Sequence, residues 1–509
     1  MRLFSKYSLC FLSILLSSLN SNAQLHTREE IETATQAEFP KAISSFREYL
    51  TMPNDGHFPD QIDQNLKWMT TAFSKRGFDV QTLKTDNAPL LFAEKQFNKK
   101  GKTVLFYMQI DGQPVDSSAW FQESPYLAAL KEQQPDGSWK EIGWEDFTGD
   151  LNPDWKIFAR SASDSKGPGM CFMTALDIIA KKKVKPNFNI KVIMDFQEEM
   201  GSPTLPAAVT RYKELLKSDM VLIMDGTRHV SNLPSLTFGA RGIATVTLKV
   251  FGPRVALHSG QYGNYAPNPV FALSKILASL KDDEGRVTLP GFYEGVELSE
   301  SDRKILAAVP NDPEALIERL GVAKPDQVGS SYEEALQYPS LNVRGLRAAW
   351  VGDEVRTIIP ADAIAEIDMR LVPETPGAKL VAMLRTHIEQ QGFHIIEGEP
   401  TDEERSKYSK LISFTYRLGS EPFRTDLDTD LGMWLSRAHE RIFGDQYVKM
   451  RTTGGSQPIA PFIKTLGIPA VSVRIPNPDN SIHSPNENIR VGNFFEGIET
   501  MVAILTEKL

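Results

Sequence analysis

Four short runs constrain this chain most. Residues 103–108 (TVLFYM), 189–196 (NIKVIMDF), 220–224 (MVLIM) and 470–475 (AVSVRI) have strand length, are rich in β-branched side chains, and alternate too little for a sheet with one wet face. A strand that is apolar on both sides of its pleat needs cover on both sheet faces. These runs are therefore expected to be central strands of an α/β sheet, mainly parallel, with flanking helices. The covers are legible too. Residues 168–182 and 493–508 carry helical periodicity, with Pro168 in a first turn, where its missing N–H is tolerated, and Asn493 placed to cap. From about residue 237 to 399 the pattern changes: 245–251 and 363–371 alternate as half-buried strands, and 270–280 reads as a helix. The expectation is an inserted α+β unit over 237–404, with the first unit made of 24–236 and 405–509.

The first residues stand apart from this pattern. Arg2 and Lys6 flank the start of an apolar run at 7–16, and Ser21, Asn22 and Ala23 precede Gln24 in the layout of a cleaved export signal. The run is too short for a helix across a bilayer core, which needs about 20 residues. Cleavage after Ala23, export to a periplasm or the cell exterior, and no stable membrane anchor are expected. Cys10 follows Leu9 rather than a small residue and lies too early for lipidation. The mature chain then keeps one cysteine, Cys171, so its stability comes from the core and not from an internal disulfide. A net charge of −9, with no Lys/Arg block interleaved with aromatics, argues against a nucleic-acid partner.

The chemistry sits just past the end of each central run. The first leads into Gln109-Ile110-Asp111, the second into Gln197-Glu198-Glu199, the third into Asp225, and the fourth into a loop that holds His483. In an open α/β sheet, ligands bind outside the carboxyl ends of the strands. A fifth segment, Ser163-Asp164-Ser165-Lys166-Gly167, precedes a helix in a loop of the same kind. Several carboxylates and an imidazole at one edge would repel strongly unless cations neutralised them, so a metal site is the economical expectation.

These residues resemble the zinc aminopeptidase-like metallopeptidases and deacylases, the group that includes carnosinase, glutamate carboxypeptidase, acetylornithine deacetylase and succinyl-diaminopimelate desuccinylase. The resemblance runs in order along nearly the whole mature chain. It covers Gln109-Ile110-Asp111, Ala162-Ser163-Asp164-Ser165-Lys166-Gly167, Glu198-Glu199-Met200-Gly201-Ser202, Asp225, His258-Ser259-Gly260, the stretch from Ile359-Pro360 to Arg370-Leu371-Val372-Pro373, Gly454-Gly455-Ser456, and His483-Ser484-Pro485-Asn486-Glu487. It implies a phosphorylase/hydrolase-like sheet with an inserted lid and dimerisation domain, and a homodimer. It also implies that Asp164 bridges two metals, that Glu199 and His483 complete one site, that Asp225 serves the other, and that Glu198 is the general base. Asp111 would support a metal-ligand His from behind. His258 would reach the scissile carbonyl from the lid, often that of the partner subunit.

One departure stands out: Gln109 occupies the place of a His ligand. An amide oxygen holds zinc less well than imidazole, and an all-oxygen second site leans toward Mn²⁺, Co²⁺ or Mg²⁺. Three outcomes are open: a weakened two-metal site, which is the expectation, a one-metal hydrolase, or a protein that binds without turnover. Arg370 is a fixed cation able to hold a carboxylate, and Gly454-Gly455-Ser456 offers backbone N–H groups to the same anion. The expected function is an exported zinc-dependent hydrolase of a peptide or N-acyl amino acid, cleaving an amide bond beside a free carboxylate. The alternative from another class is a catalytically silent peptide-binding protein of the same fold.

Overall fold

The structure, a computed structural model, describes residues 25–147 and 152–509; the segment read as an export signal, residues 1–23, lies outside them. The four apolar runs form the strands Thr103–Gln109, Asn189–Asp195, Met220–Ile223 and Ala470–Arg474, buried along almost their whole length. Asn189–Asp195 pairs with Thr103–Gln109, which pairs with Met220–Ile223, which pairs with Ala470–Arg474, and all three pairings are parallel. Parallel pairing sends the carboxyl ends of all four strands to one edge. Antiparallel strands complete the eight-stranded sheet outside them, Asp79–Leu83 and Leu90–Lys95 on one side and Ser235–Thr237 on the other, where Val448–Met450 forms the far edge.

Helices Arg28–Leu50, Lys166–Lys181, Asp430–Phe443 and Val491–Thr506 cover one face of this sheet with the largest apolar cluster. Leu205–Arg211 and Ala460–Leu466 cover the other. Lys166–Lys181 and Val491–Thr506 pack closely because Gly497 carries no side chain: a Cβ there would stand 2.5 Å from Ile475 Cγ2 and 2.9 Å from Cys171 Sγ. Cys171 is sealed in that contact as a free thiol. The terminal helix starts at Val491, so Asn493 is not its cap. Its buried amide instead donates to Asn232 Oδ1 at 2.8 Å and to the Ile475 carbonyl at 3.0 Å. Among the described residues no helix is long and apolar enough to cross a membrane.

The second sheet has the order Ser340–Arg347, Asp362–Leu371, Gly242–Phe251, Leu411–Leu418, His394–Ile396. Gly242–Phe251 and Asp362–Leu371 pair from Gly242↔Leu371 to Phe251↔Asp362, and their alternation is clean: Ala244, Val246, Leu248 and Val250 pack with Ala365, Ile367 and Met369 under helices Pro269–Ala278 and Gly377–Gln390. The return to the first unit at residue 405 needs correction, because Leu411–Leu418 pairs with Gly242–Phe251 and belongs to this second sheet. Its first half is buried at every position and its second half is exposed, so it lacks the alternation of Gly242–Phe251 and Asp362–Leu371 that would have marked it as one of them. A third, four-stranded sheet, Asn488–Arg490, Lys156–Phe158, Ala129–Gln133 and Trp139–Ile142, brings Glu487 against the 160–164 loop.

Candidate metal centre

Three strand ends and two loops converge at the carboxyl edge. Asp164 is positioned from behind by Glu487, whose Oε1 accepts the Ser163 and Asp164 N–H groups at 2.9 Å each. The other oxygen, Oε2, accepts Ser161 N–H at 2.9 Å and Arg160 Nη1 at 2.8 Å. Burial pushes the Glu487 carboxyl up, while Arg160 and these N–H donors pull it back toward the ionised form. Asp111 plays the matching part for the next loop. Its two oxygens accept Glu198 N–H and Glu199 N–H at 3.0 Å each, which fixes the tight turn after Asn189–Asp195. Asp111 thus positions Glu198 and Glu199 through their backbone. His483 arrives at φ +58, a left-handed conformation that costs a residue with a Cβ on the order of 1 kcal/mol or more and is common where geometry serves a ligand.

Asp164, Glu199 and His483 each offer one donor atom, all within 4.8 Å of one another. His483 Nε2 lies 3.2 Å from Asp164 Oδ2 and 3.2 Å from Glu199 Oε2. Donors held at about 2.0–2.1 Å around a tetrahedral ion stand roughly 3.3 Å apart, so this set fits a zinc-sized divalent ion. Gln113 Nε2 steadies Glu199 Oε2 from outside at 2.7 Å. Hydrogen bonds to Asp164 and Glu199 push His483 up to about 10, and burial, reinforced by the charges of Glu199, Asp225 and Glu487, pushes Asp164 up despite its bond to His483. The cluster carries more negative charge than a dry site keeps without a cation.

Glu198 has no hydrogen-bond or ion-pair partner for its carboxylate among the described residues. Burial, then the charges of Asp225, Asp164, Glu199 and Asp111, push it well above the usual carboxylate range. A carboxyl with that affinity for a proton, beside a metal position, is suited to proton transfer.

The structure brings Gln109 and Asp225 to the same edge, but neither joins the compact three-donor set. Gln109 Nε2 donates to Asp164 Oδ1 at 2.6 Å, and Asp225 Oδ2 accepts from Gln457 Nε2 at 2.8 Å. Arg370 reaches across from the second sheet and donates Nη1 to Ser456 Oγ at 3.0 Å, next to Gly454 and Gly455. Arg241, which sequence reasoning missed, lies beside it. Its hydrogen bonds are long, 3.4 Å to the Gly454 carbonyl and 3.4 Å to the Tyr338 carbonyl, and it has no carboxylate partner among the described residues. Burial, then the Arg370 charge, lower its pKa to about 10. Two guanidinium groups converging on one loop call for an anion between them. A lone Arg between Ala240 and Gly242 gives no signal of this. His258 is exposed in the second unit, where its Nδ1 accepts Gly260 N–H at 3.1 Å, and it has no hydrogen bond to the carboxylate cluster.

Such a donor set at the carboxyl edge of a parallel sheet, with a free carboxylate beside it and an inserted unit presenting arginines, defines a metal-dependent hydrolase. The model of peptidase family M20/M25/M40 matches residues 133–507, and the chain belongs to that family as a metallopeptidase. It is similar to the human Beta-Ala-His dipeptidase, at 27% identity over 82% of this chain and 77% of that one. It is also similar to a Cys-Gly metallodipeptidase of Schizosaccharomyces pombe, at 26% identity over 82% of each chain. A crystal structure of an M20 family metallo-carboxypeptidase from Sulfolobus solfataricus superposes with a TM-score of 0.75 at 27% identity, covering 92% of this chain and 98% of that one.

Proposed function

We propose that this chain is an exported, homodimeric metallo-exopeptidase of dipeptidase type that hydrolyses an amide bond next to a free carboxylate. One observation carries the reading: the unpartnered Glu198 carboxyl beside the Asp164, Glu199 and His483 donor set. A divalent ion held by those three residues, zinc by the mix of oxygen and nitrogen donors, supplies Lewis acidity for water activation and carbonyl polarisation. Glu198 takes the proton from the attacking water and returns it to the leaving amine. Asp111 holds Glu198 and Glu199 in their divided roles through the two adjacent N–H groups.

Arg370, Arg241, Ser456 and the N–H groups of Gly454 and Gly455 hold the substrate carboxylate, which sets the scissile bond one residue away. The dipeptidase and carboxypeptidase relatives support that class, and an N-acyl amino acid presents the same carboxylate. His258, exposed and without a hydrogen bond to the carboxylate cluster of its own chain, would serve a second subunit. The exposed Val343 and Leu346 on the edge strand Ser340–Arg347, with Trp350 and Val351 nearby, support a dimer through that sheet. Export rests on residues 1–23 and is tested by N-terminal sequencing of protein recovered outside the cytoplasm.

Gln109 is the one feature that favours silent binding, but it bonds Asp164 Oδ1 and leaves Oδ2, the oxygen beside His483, to the three-donor set. The deciding experiment is hydrolysis of free-carboxylate dipeptides by protein stripped with a chelator and reloaded with Zn²⁺ or Mn²⁺. Turnover restored by metal and lost in His483→Ala supports the reading, and no turnover of any dipeptide or N-acyl amino acid overturns it.

A further inference from the structure

The two carboxylates that would hold a second ion are already engaged. Gln109, 1% exposed, donates Nε2 to Asp164 Oδ1 at 2.6 Å, and the Ser165 hydroxyl donates to the same oxygen at 3.1 Å. Gln457, 5% exposed, donates Nε2 to Asp225 Oδ2 at 2.8 Å. The other end of Gln457, Oε1, accepts the Ser472 hydroxyl at 3.3 Å. Turning that amide over would set its oxygen against a carboxylate. Gln109 Oε1 has no partner among the described residues, and a neutral amide oxygen in place of an imidazole is a poor zinc ligand beside two carboxylates that each already accept an amide N–H.

A buried cation lies against the backbone of Asp225. Arg474, buried, donates Nη1 to the Asp225 carbonyl at 2.7 Å and Nε to Thr237 Oγ1 at 3.2 Å. It reaches that carbonyl only because Gly226 has no side chain, for a Cβ at 226 would sit 1.3 Å from Nη1. Burial lowers the Arg474 pKa, and the charges of Asp225 and Asp164 act against that and favour its charged form. One divalent ion would then balance Asp164 and Glu199, while Arg474 adds a positive charge near Asp225 through its bond to the Asp225 carbonyl.

We propose that the centre is mononuclear, with one divalent ion at Asp164, Glu199 and His483, and with Gln109, Gln457 and Arg474 taking the place of a second ion at Asp164 and Asp225. This rests on the metal-centre reading above and sharpens it. The amides hold the far oxygens of Asp164 and Asp225 in position, as a second ion would, but without its Lewis acidity.

The test is metal content per chain by elemental analysis, after equilibration with excess Zn²⁺ and, separately, Mn²⁺, together with anomalous scattering from crystals of the same protein. The expected result is one ion per chain with either metal and one anomalous peak, at Asp164, Glu199 and His483. Gln109→His combined with Gln457→Leu is expected to raise the content to two. Two ions in the wild-type chain would overturn the mononuclear centre while leaving the hydrolase reading intact. A single peak lying at Asp225 instead would overturn the assignment of the amides. No metal at all would overturn both readings. The anomalous map of the wild-type protein decides the matter even if the double variant fails to fold.

Discussion

Glu487 accepts the backbone N–H of Asp164 at 2.9 Å, so the candidate metal ligand is set in place by a carboxylate outside the three-donor set. The same side chain neutralises Arg160 in the interior. Glu487→Gln would leave that guanidinium buried without its partner and turn an amide N–H toward one of the loop N–H donors. Removing one member of a buried ion pair costs about 3–5 kcal/mol. We expect a clear fall in melting temperature together with weaker metal retention. Unchanged melting and metal content would mean that the 160–164 loop holds its shape unaided.

Glu198 is expected to act on the proton and not on the metal. Glu198→Gln keeps the shape and removes the base, so hydrolysis should fall by about 10² or more while bound metal and melting temperature stay at wild-type values. Turnover within a few-fold of wild type would remove Glu198 from the mechanism.

Arg241 and Arg370 converge on the Gly454–Ser456 loop, and a charge-assisted bond to a carboxylate contributes about 1.5–3 kcal/mol. Arg241→Ala should therefore raise KM for free-carboxylate dipeptides by roughly 10–100-fold. C-terminally amidated dipeptides, poor substrates for the wild type, should lose little further. An equal loss on both substrates would assign Arg241 to folding and not to recognition.

Glu499, in the helix Val491–Thr506, is pushed up to about 8, first by burial and then by the charges of Glu32 and Glu496, against Arg28. The unfolded chain ionises this group near 4.5, so between about 4.5 and 8 the unfolded state binds fewer protons than the folded one. Its contribution to stability is therefore lost as pH rises through that window. Glu499→Gln should melt higher than wild type near pH 8, with the difference shrinking to nothing near pH 4. A pH-independent difference would exclude this origin.

The parts of this molecule that the sequence discloses are those in which local pattern and global role coincide. Residues 103–108, 189–196, 220–224 and 470–475 are apolar on both faces because they are central, and the acids just after them share an edge because parallel pairing aims them there. The edge strand Asp79–Leu83 is mostly exposed, and the small sheet around Glu487 mixes charge with apolar residues, so neither has a period that stands out. Leu411–Leu418 lacks the alternation of the strand Gly242–Phe251 that it pairs with.

The same distinction holds at the centre. Asp164, Glu199 and His483 are legible because metal chemistry limits the residue types that can stand there. Gln457 and Arg474 are not, because a glutamine after Ser456 and an arginine in a buried strand acquire meaning only when folding sets them against Asp225. Gln109 is visible as a departure, but its amide could turn either way, and the structure turns its N–H toward Asp164. The weakened two-metal expectation reads that amide as a ligand, and the mononuclear proposal reads it as a donor.

Cys171 lies where two helices meet with no room for a methyl group at Gly497. A reagent that alkylates thiols cannot touch it until Lys166–Lys181 and Val491–Thr506 part, and burial also holds the sulfur in its unreactive protonated form. The sole thiol among the described residues is therefore a clock for the interior. Its labelling rate under native conditions counts how often the helix that begins at the metal-ligand loop separates from the one that closes the chain, and in an oxidising compartment that same rate limits how soon the sulfur can be damaged.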